Sequence, residues 1–123
     1  MTSAVLRAIR GATTVEADTA ESIFPRVQEM LHAMLKRNGV HHDDIVSVFF
    51  TATSDLVSVF PAAAAREIGF GDVPLICATE LAIIDSTPRC VRVMMHVYSE
   101  RARADIRHVY LHGAAGLRDD LPG

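Results

Sequence analysis

An arginine interrupts the apolar stretch at residues 90–98, and its surroundings suggest a chemical role. Because side chains alternate across a β-strand, this stretch has one wholly apolar face, and Arg92 belongs to the other face. The residues of the apolar face are Val91, Val93, Met95 and Val97. An unpaired buried charge is too costly to keep. Arg92 must therefore snorkel to water from an edge strand, pair with an acid, or face a cavity that holds a ligand.

Three further arginines and three other polar or reactive residues lie at comparable places, near strand ends or in otherwise apolar elements. They are Arg10, Arg66, Arg118, Glu80, Cys77 and Tyr110. No nucleophile–base pair, no G-x-S-x-G nucleophile elbow and no phosphate-binding loop is evident in the sequence. Taken alone, these residues indicate a small-anion site and leave open whether it lies between subunits. The alternative is that the arginines fall near element ends by chance.

The composition is that of an ordinary globular chain, and its 123 residues suit one domain, residues 1–123. A net charge of −3 indicates neither nucleic acid nor an anionic membrane surface as a partner. No apolar run has transmembrane length and residues 1–10 lack signal-peptide architecture, so we expect a cytoplasmic protein. The two cysteines form no C-x-x-C pair, which indicates free thiols. The six histidines show no metal-ligand spacing, so we expect no metal.

Hydrophobic periodicity predicts seven elements in the order β-α-β-α-β-β-β. The predicted strands are residues 4–15, 45–53, 73–78, 90–98 and 106–112, and the predicted helices are residues 18–38 and 61–68. Several strands with one long and one short helix predict an α+β fold, a mixed β-sheet with both helices on one face. The other face of the sheet needs cover, and self-association is the economical answer.

The long helix carries a start signal and an internal conflict. Asp18 and Glu21 have the spacing of a capping box, with an acid in place of the usual Ser or Thr. Residues 38–39, Asn-Gly, form a good C-terminal stop. Pro25 fits a helix that begins near Ser22 but would kink one that begins at Asp18, and the sequence does not decide between these starts.

Three blocks of sequence resemble a known enzyme family. R-G-A-T-T-V at residues 10–15, R-V-M-M at residues 92–95 and R-H-V-Y-L at residues 107–111 are similar to blocks of the monofunctional chorismate mutases of the AroH type. The resemblance runs from about Arg7 to Leu121, in the same order and with nearly the same spacing. It therefore covers almost the whole chain, and the blocks together are highly specific.

The resemblance implies a homotrimer whose sheets form a pseudo-α/β-barrel, with an active site at each subunit interface. It also implies the Claisen rearrangement of chorismate to prephenate, in the shikimate pathway to phenylalanine and tyrosine. This intramolecular reaction needs no nucleophile and no proton transfer, so no cofactor and no metal are expected. Catalysis must come from holding a flexible dianion in its reactive conformer and from stabilising charge on the breaking ether oxygen.

Residue roles carry over by motif position. The expected catalytic residues are Arg92, which donates to the ether oxygen and one carboxylate, Glu80, which holds the ring hydroxyl, and Arg10, which binds a carboxylate. The expected substrate-binding residues are Tyr110 at a carboxylate, the backbone near Cys77 at the ring hydroxyl, Arg66 from the neighbouring subunit, Arg118 at the mouth, and the pocket walls Phe60, Ala62, Leu75 and Leu117.

Three departures from the family pattern bear on the site. Ala63 replaces a familiar lysine, which removes one cation from the mouth. Ile76 stands where a threonine is familiar, which removes a hydroxyl. The chain also ends soon after Arg118, so the closing tail is short.

Two other functions are weighed against this one. The first is imine deamination on the same trimeric fold, against which the R-V-M-M block and Glu80 argue. The second is a non-catalytic regulatory trimer that binds a small anion. Loss of a catalytic residue would favour it, but all three expected catalytic positions are occupied.

Overall fold

The computed structural model describes residues 3–117, which form a five-stranded sheet with two helices packed against it. The elements are β1 Val5–Thr14, α1 Ala20–Asn38, β2 Ile45–Ala52, α2 Pro61–Glu67, β3 Leu75–Thr79, β4 Cys90–Ser99 and β5 Val109–Tyr110. The strand order is β3-β2-β4-β1-β5. β4 is antiparallel to β1 and β2, whereas β3 and β5 are parallel to their neighbours. The predicted α+β class and mixed sheet are confirmed.

The two faces of β4 differ as the alternation predicts. Its apolar residues are buried in one core cluster together with residues of both helices, and these strand residues are Val91, Val93, Met95 and Val97. Arg92 is on the opposite face of the sheet, here called the uncovered face. β4 is the third of five strands, so the hypothesis that Arg92 belongs to an edge strand is wrong.

The predicted last strand, residues 106–112, is much shorter in the structure. β5 contains Val109 and Tyr110, which pair with Gly11 and Ala12 of β1. Turns of 3-10 helix at Arg103–Asp105 and His112–Ala114 bracket this pair of residues. The alternating pattern extends on both sides of Val109 and Tyr110, beyond the residues that pair with β1. The strand predicted from that pattern was therefore too long.

The start of α1 also differs from the prediction. Thr19 is the N-cap, and its hydroxyl accepts a hydrogen bond from the Ser22 backbone N–H at 3.2 Å. The capping box assigned to Asp18 and Glu21 is therefore wrong, because the hydroxyl already provides the cap. Pro25 lies inside the helix, in its second turn, where it removes one backbone donor.

Helix α1 approaches the sheet most closely at Gly11. A Cβ atom at this position would be 2.5 Å from Met34 Sδ and 3.2 Å from Met30 Cγ. The absence of a side chain thus lets the helix pack directly against β1. The neighbouring residues Arg10 and Ala12 point to the uncovered face.

Asn38, at the end of α1, fixes the segment that leads into β5. Its side chain is buried, and Nδ2 donates to the carbonyl oxygens of Met34 and Arg107, each at 2.8 Å. Oδ1 accepts from the Arg107 backbone N–H at 2.7 Å. The position of Tyr110, three residues later, therefore depends on a side chain of the helix.

Replacing Asn38 with Ala removes these three hydrogen bonds, including both that tie the backbone of Arg107 to the helix. We expect the free energy of unfolding to fall by about 2–4 kcal/mol. Urea denaturation measures it. His32→Ala, at an exposed position of the same helix, is the control and should change stability by less than about 0.5 kcal/mol. Equal stability of the two variants would contradict the role of Asn38.

Candidate functional site

Strand register aligns a row of side chains across the uncovered face, at the level of Arg92. From the β3 edge the row is Ala78, Thr51, Arg92, Ala12 and Tyr110. Adjacent strands are about 4.8 Å apart, so the backbones of Arg92 and Tyr110 are separated by about 9–10 Å. Ala12 lies between them, and its small side chain forms part of the floor of the gap.

Arg10 belongs to the next row of the same face, where it pairs across the strands with Met94. It stands two residues, or about 7 Å, from Ala12 along β1. A cavity of about 690 Å³, here called the central cavity, is lined by residues that include Arg10, Thr51, Arg92 and Tyr110. The structure therefore brings together three of the residues predicted for the site.

Glu80 reaches Arg92 from the end of β3. Its backbone N–H donates to the Ala52 carbonyl oxygen at 2.9 Å, which continues the pairing of β3 with β2. Its Oε2 accepts from Thr51 Oγ1 at 2.6 Å and lies 3.5 Å from Arg92 Nε. The charge of Arg92 is thus paired with an acid, and the Thr51 hydroxyl fixes one of the two carboxylate oxygens.

Arg10 is held by its backbone rather than by its guanidinium. Its N–H donates to Nδ1 of His108 at 2.9 Å. Because Nδ1 accepts this bond, the neutral ring carries its proton on Nε2. Within residues 3–117 the Arg10 guanidinium makes no hydrogen bond and no ion pair, so it is available to a ligand.

Cys90 is buried two residues before Arg92, on the same side of β4. Burial raises the pKa of the Cys90 thiol, and the nearby Arg92 guanidinium only partly opposes this rise. The thiol is therefore neutral near pH 7, and the negative charge beside Arg92 comes from Glu80.

A second group of predicted site residues lies around a different cavity. This loop cavity, of about 400 Å³, is found where β2 and β3 end, and Phe60 and Cys77 are among its lining residues. Cys77 pairs with Phe50, and Leu75 with Val48, so both side chains face the helices. They do not line the central cavity of this subunit.

The remaining predicted residues are placed as follows. Phe60 and Arg66 are exposed at the two ends of α2, Ala62 is buried in the core, and Ala63 is half-buried. Ile76 is exposed on the uncovered face, and Leu117 is half-buried after the last turn. Arg118 lies outside the described residues.

The loop that carries Phe60 is tied to the rest of the chain by two carboxylates. Asp18 accepts from the backbone N–H groups of Val57 and Ser58, each at 3.0 Å. Asp55 accepts from the Arg89 backbone N–H at 3.0 Å. The loop is therefore held at two points that precede Phe60.

Sequence reasoning missed Thr51 and His108 as site residues. Thr51 touches Glu80, which is 29 residues away in sequence, and His108 touches Arg10, which is 98 residues away. No local spacing signals either contact, because both depend on how the strands pair.

Two absences concern the described part of the chain. Among residues 3–117, no cluster of three or more His, Cys, Asp or Glu side chains is placed to hold a metal ion. Over the same range, no helix combines the length and the apolar character needed to cross a membrane.

Comparisons with known proteins give one consistent result. The model of the family described as chorismate mutase type I matches residues 6–121. Chorismate mutase AroH of Thermus thermophilus is 45% identical over 118 residues, covering 95% of this chain and 97% of that protein. The corresponding protein of Bacillus subtilis (strain 168) is 42% identical, covering 95% and 93%. The structure of a chorismate mutase from Clostridium thermocellum matches with a TM-score of 0.86 and 47% identity, covering 88% of this chain and 96% of that one.

Burial lowers the pKa of His108 below the ordinary value of 6.5. The unfolded chain then binds more protons than the folded chain as the pH falls through 6.5 towards the folded-state value. The contribution of His108 to stability is therefore fully present above pH 6.5 and is lost as the pH falls. In an NMR titration we expect the ring to titrate below 6.5 when folded and near 6.5 in urea. A folded-state pKa at or above 6.5 would contradict this.

Proposed function

The chain belongs to the type I chorismate mutase family and is an isomerase with chorismate mutase activity, and we propose that the central cavity holds chorismate while it rearranges to prephenate. One observation carries the proposal: Arg10, Arg92 and Tyr110 line one cavity, and Glu80 forms an ion pair with Arg92. A volume of about 690 Å³ is within the range of small-ligand sites. The comparisons support neither imine deamination nor a non-catalytic trimer.

The charges of the site suit a dianion. Arg10 and Arg92 contribute two positive charges, a partner's Arg66 would contribute a third, and Glu80 contributes one negative charge. The formal sum of +2 opposes the two carboxylates of chorismate. A local field of this sign attracts the substrate although the whole chain has a net charge of −3.

Arg92 is the proposed donor to the ether oxygen. The Glu80 carboxylate lies at Arg92 Nε, so the terminal nitrogens of the guanidinium are left to face the ligand. A donor fixed before the reaction stabilises charge as the ether bond breaks, without reorganisation during the reaction. The hydrogen bond from Thr51 occupies Oε2 of Glu80 and leaves Oε1 for the ring hydroxyl.

Arg10 and Tyr110 are the proposed carboxylate ligands. They lie on adjacent strands on the side of Arg92 away from Glu80. A ligand above Ala12 would therefore have its ether oxygen and ring hydroxyl towards Arg92 and Glu80, and a carboxylate towards Arg10 and Tyr110. Contacts at both ends would hold the substrate in its compact conformer.

We propose that the enzyme is a homotrimer, with barrel-like packing of the three sheets and an active site at each interface. Large apolar residues on the uncovered face and its rim are between 49% and 58% exposed. They are Leu6, Phe49, Ile76 and Tyr98. The loop after Glu80 exposes Leu81, Ile83 and Ile84 to between 64% and 87%. Exposed apolar side chains of this number favour burial against other copies.

A neighbouring subunit would complete the site with residues that lie away from the central cavity of their own chain. Phe60, Ala62, Ala63, Leu75 and Ile76 would form or support the wall. The partner's Arg66 would face the substrate, while Leu117 and Arg118 of the tail would close the mouth. Ala63 provides no cation and Ile76 no hydroxyl, so capture of the substrate depends more strongly on Arg66.

The cellular location and the pathway are also part of the proposal. Two free thiols, Cys77 and Cys90, suit a reducing compartment such as the cytoplasm. Formation of prephenate serves the biosynthesis of phenylalanine and tyrosine. Neither the contacts of the site nor the reaction calls for a cofactor.

Arg92→Lys keeps the positive charge but removes the planar fork and moves the donor. We expect kcat to fall by roughly 10²-fold or more, the scale of losing one preorganised donor. The assay follows loss of chorismate absorbance and appearance of prephenate. Arg107→Lys, at an exposed position away from the central cavity, is the matched control and should keep wild-type turnover. Near wild-type turnover of Arg92→Lys would disprove its assignment.

Mixed trimers test whether the site is shared between subunits. Arg92→Lys and Arg66→Glu should each be nearly inactive at low substrate concentration. When equal amounts are unfolded and refolded together, about one site in four has Arg92 from one chain and Arg66 from its neighbour. We expect recovery of about a quarter of the wild-type kcat/KM. A mixture no more active than the mean of its parents would exclude the shared site.

A further inference from the structure

A second cavity adjoins the central one, at the edge of β1 where β5 does not extend. This edge cavity has a volume of about 440 Å³ and lies between β1 and the turn Arg103–Asp105. Its lining contains five basic residues, Arg7, Arg10, Arg103, His96 and His108. No Asp or Glu of the described chain lines it, and Asp105 of the same turn is not part of the lining.

No carboxylate within residues 3–117 neutralises the guanidinium groups at this cavity. Within the described residues, Arg10 and Arg103 make no ion pair, and the Arg7 Nε donates to the backbone carbonyl of Arg101 at 3.0 Å. Like charges that converge without an acid repel one another, and the repulsion grows as water is excluded. A bound anion would remove this repulsion.

Neutral donors face the same cavity. The Nδ1 atom of His108 is occupied by the Arg10 backbone N–H, so its Nε2–H remains free to donate. Backbone N–H groups alternate along a strand, and the Arg10 group points towards the β5 side. The N–H of Ala8, two residues earlier, points to the same side, and Ala8 is one of the lining residues. Charged and neutral hydrogen-bond donors together suit the binding of an oxyanion.

We propose that the edge cavity is a second anion site, which binds a small dianion bearing carboxylate or phosphate groups. It is distinct from the central cavity because Arg103 and His108 line the edge cavity and do not line the central one. Arg10 lines both cavities.

The shared arginine couples the two sites, and this part rests on the proposed role of Arg10 in binding chorismate. One guanidinium cannot bind two anions, one in each cavity, as strongly as it binds one. A dianion in the edge cavity draws Arg10 away from the substrate, so it raises KM for chorismate and leaves kcat nearly unchanged. By linkage, chorismate weakens binding of the dianion by the same factor.

NMR titration of the full-length protein with malonate and, separately, with inorganic phosphate tests binding without reference to activity. The His108 ring signal reports on the edge cavity, and the two ligands distinguish carboxylate from phosphate chemistry. We expect a saturable shift with at least one ligand, and about 10-fold weaker binding in Arg103→Ala, the scale of losing one charged hydrogen-bond donor. Arg107→Ala, exposed and outside the lining, is the control and should bind as wild type does.

The outcomes separate this proposal from the proposed activity. A saturable His108 shift that weakens in Arg103→Ala supports the site even if chorismate is not turned over. The absence of a shift, or a shift indifferent to Arg103→Ala, overturns it. In kinetic assays, Arg103→Ala should keep the basal kcat and KM but lose the rise in KM caused by the anion. Equal inhibition of wild type and Arg103→Ala would locate the anion in the central cavity alone and overturn the coupling.

Discussion

A positive charge on the central strand of the sheet is the constraint on which the rest of the site depends. Arg92 lies on β4, between two strands, and its buried Nε atom faces a partner of opposite charge. The partner is Glu80, which arrives because β3 runs parallel to β2 and ends beside Thr51. A parallel neighbour needs a crossover connection, and α2 provides it. The β2-α2-β3 connection thus brings Glu80 to Arg92.

The two faces of the sheet separate packing from chemistry. The helix-covered face holds most of the buried apolar residues of the long strands, and Gly11 lets α1 approach without a gap. The uncovered face carries Arg10, Arg92 and Tyr110 on strands whose other side is packed in the core. Donors held in place before a ligand arrives suit an intramolecular rearrangement.

The sequence predicted elements and faces better than contacts. Alternation identified both faces of β4, because a strand buried on one side must alternate. Alternation could not predict the bounds of β5, because they depend on the pairing of Val109 and Tyr110 with β1, which is distant in sequence. Only the family resemblance predicted that Arg10 and Glu80 would lie near Arg92. The register between distant strands has no local signal in the sequence. Thr51 and His108 were not predicted as site residues for the same reason.

The exposure of Arg92 on the uncovered face also bears on the proposed trimer. The Arg92 side chain is 41% exposed, so water screens its interaction with Glu80 and with any ligand. Electrostatic catalysis gains strength only when water is excluded. Cover from another subunit would exclude it, but the same cover would also confine the arginines of the edge cavity. In the proposed trimer, subunit packing would therefore strengthen the central site and at the same time increase the need for an anion beside Arg10.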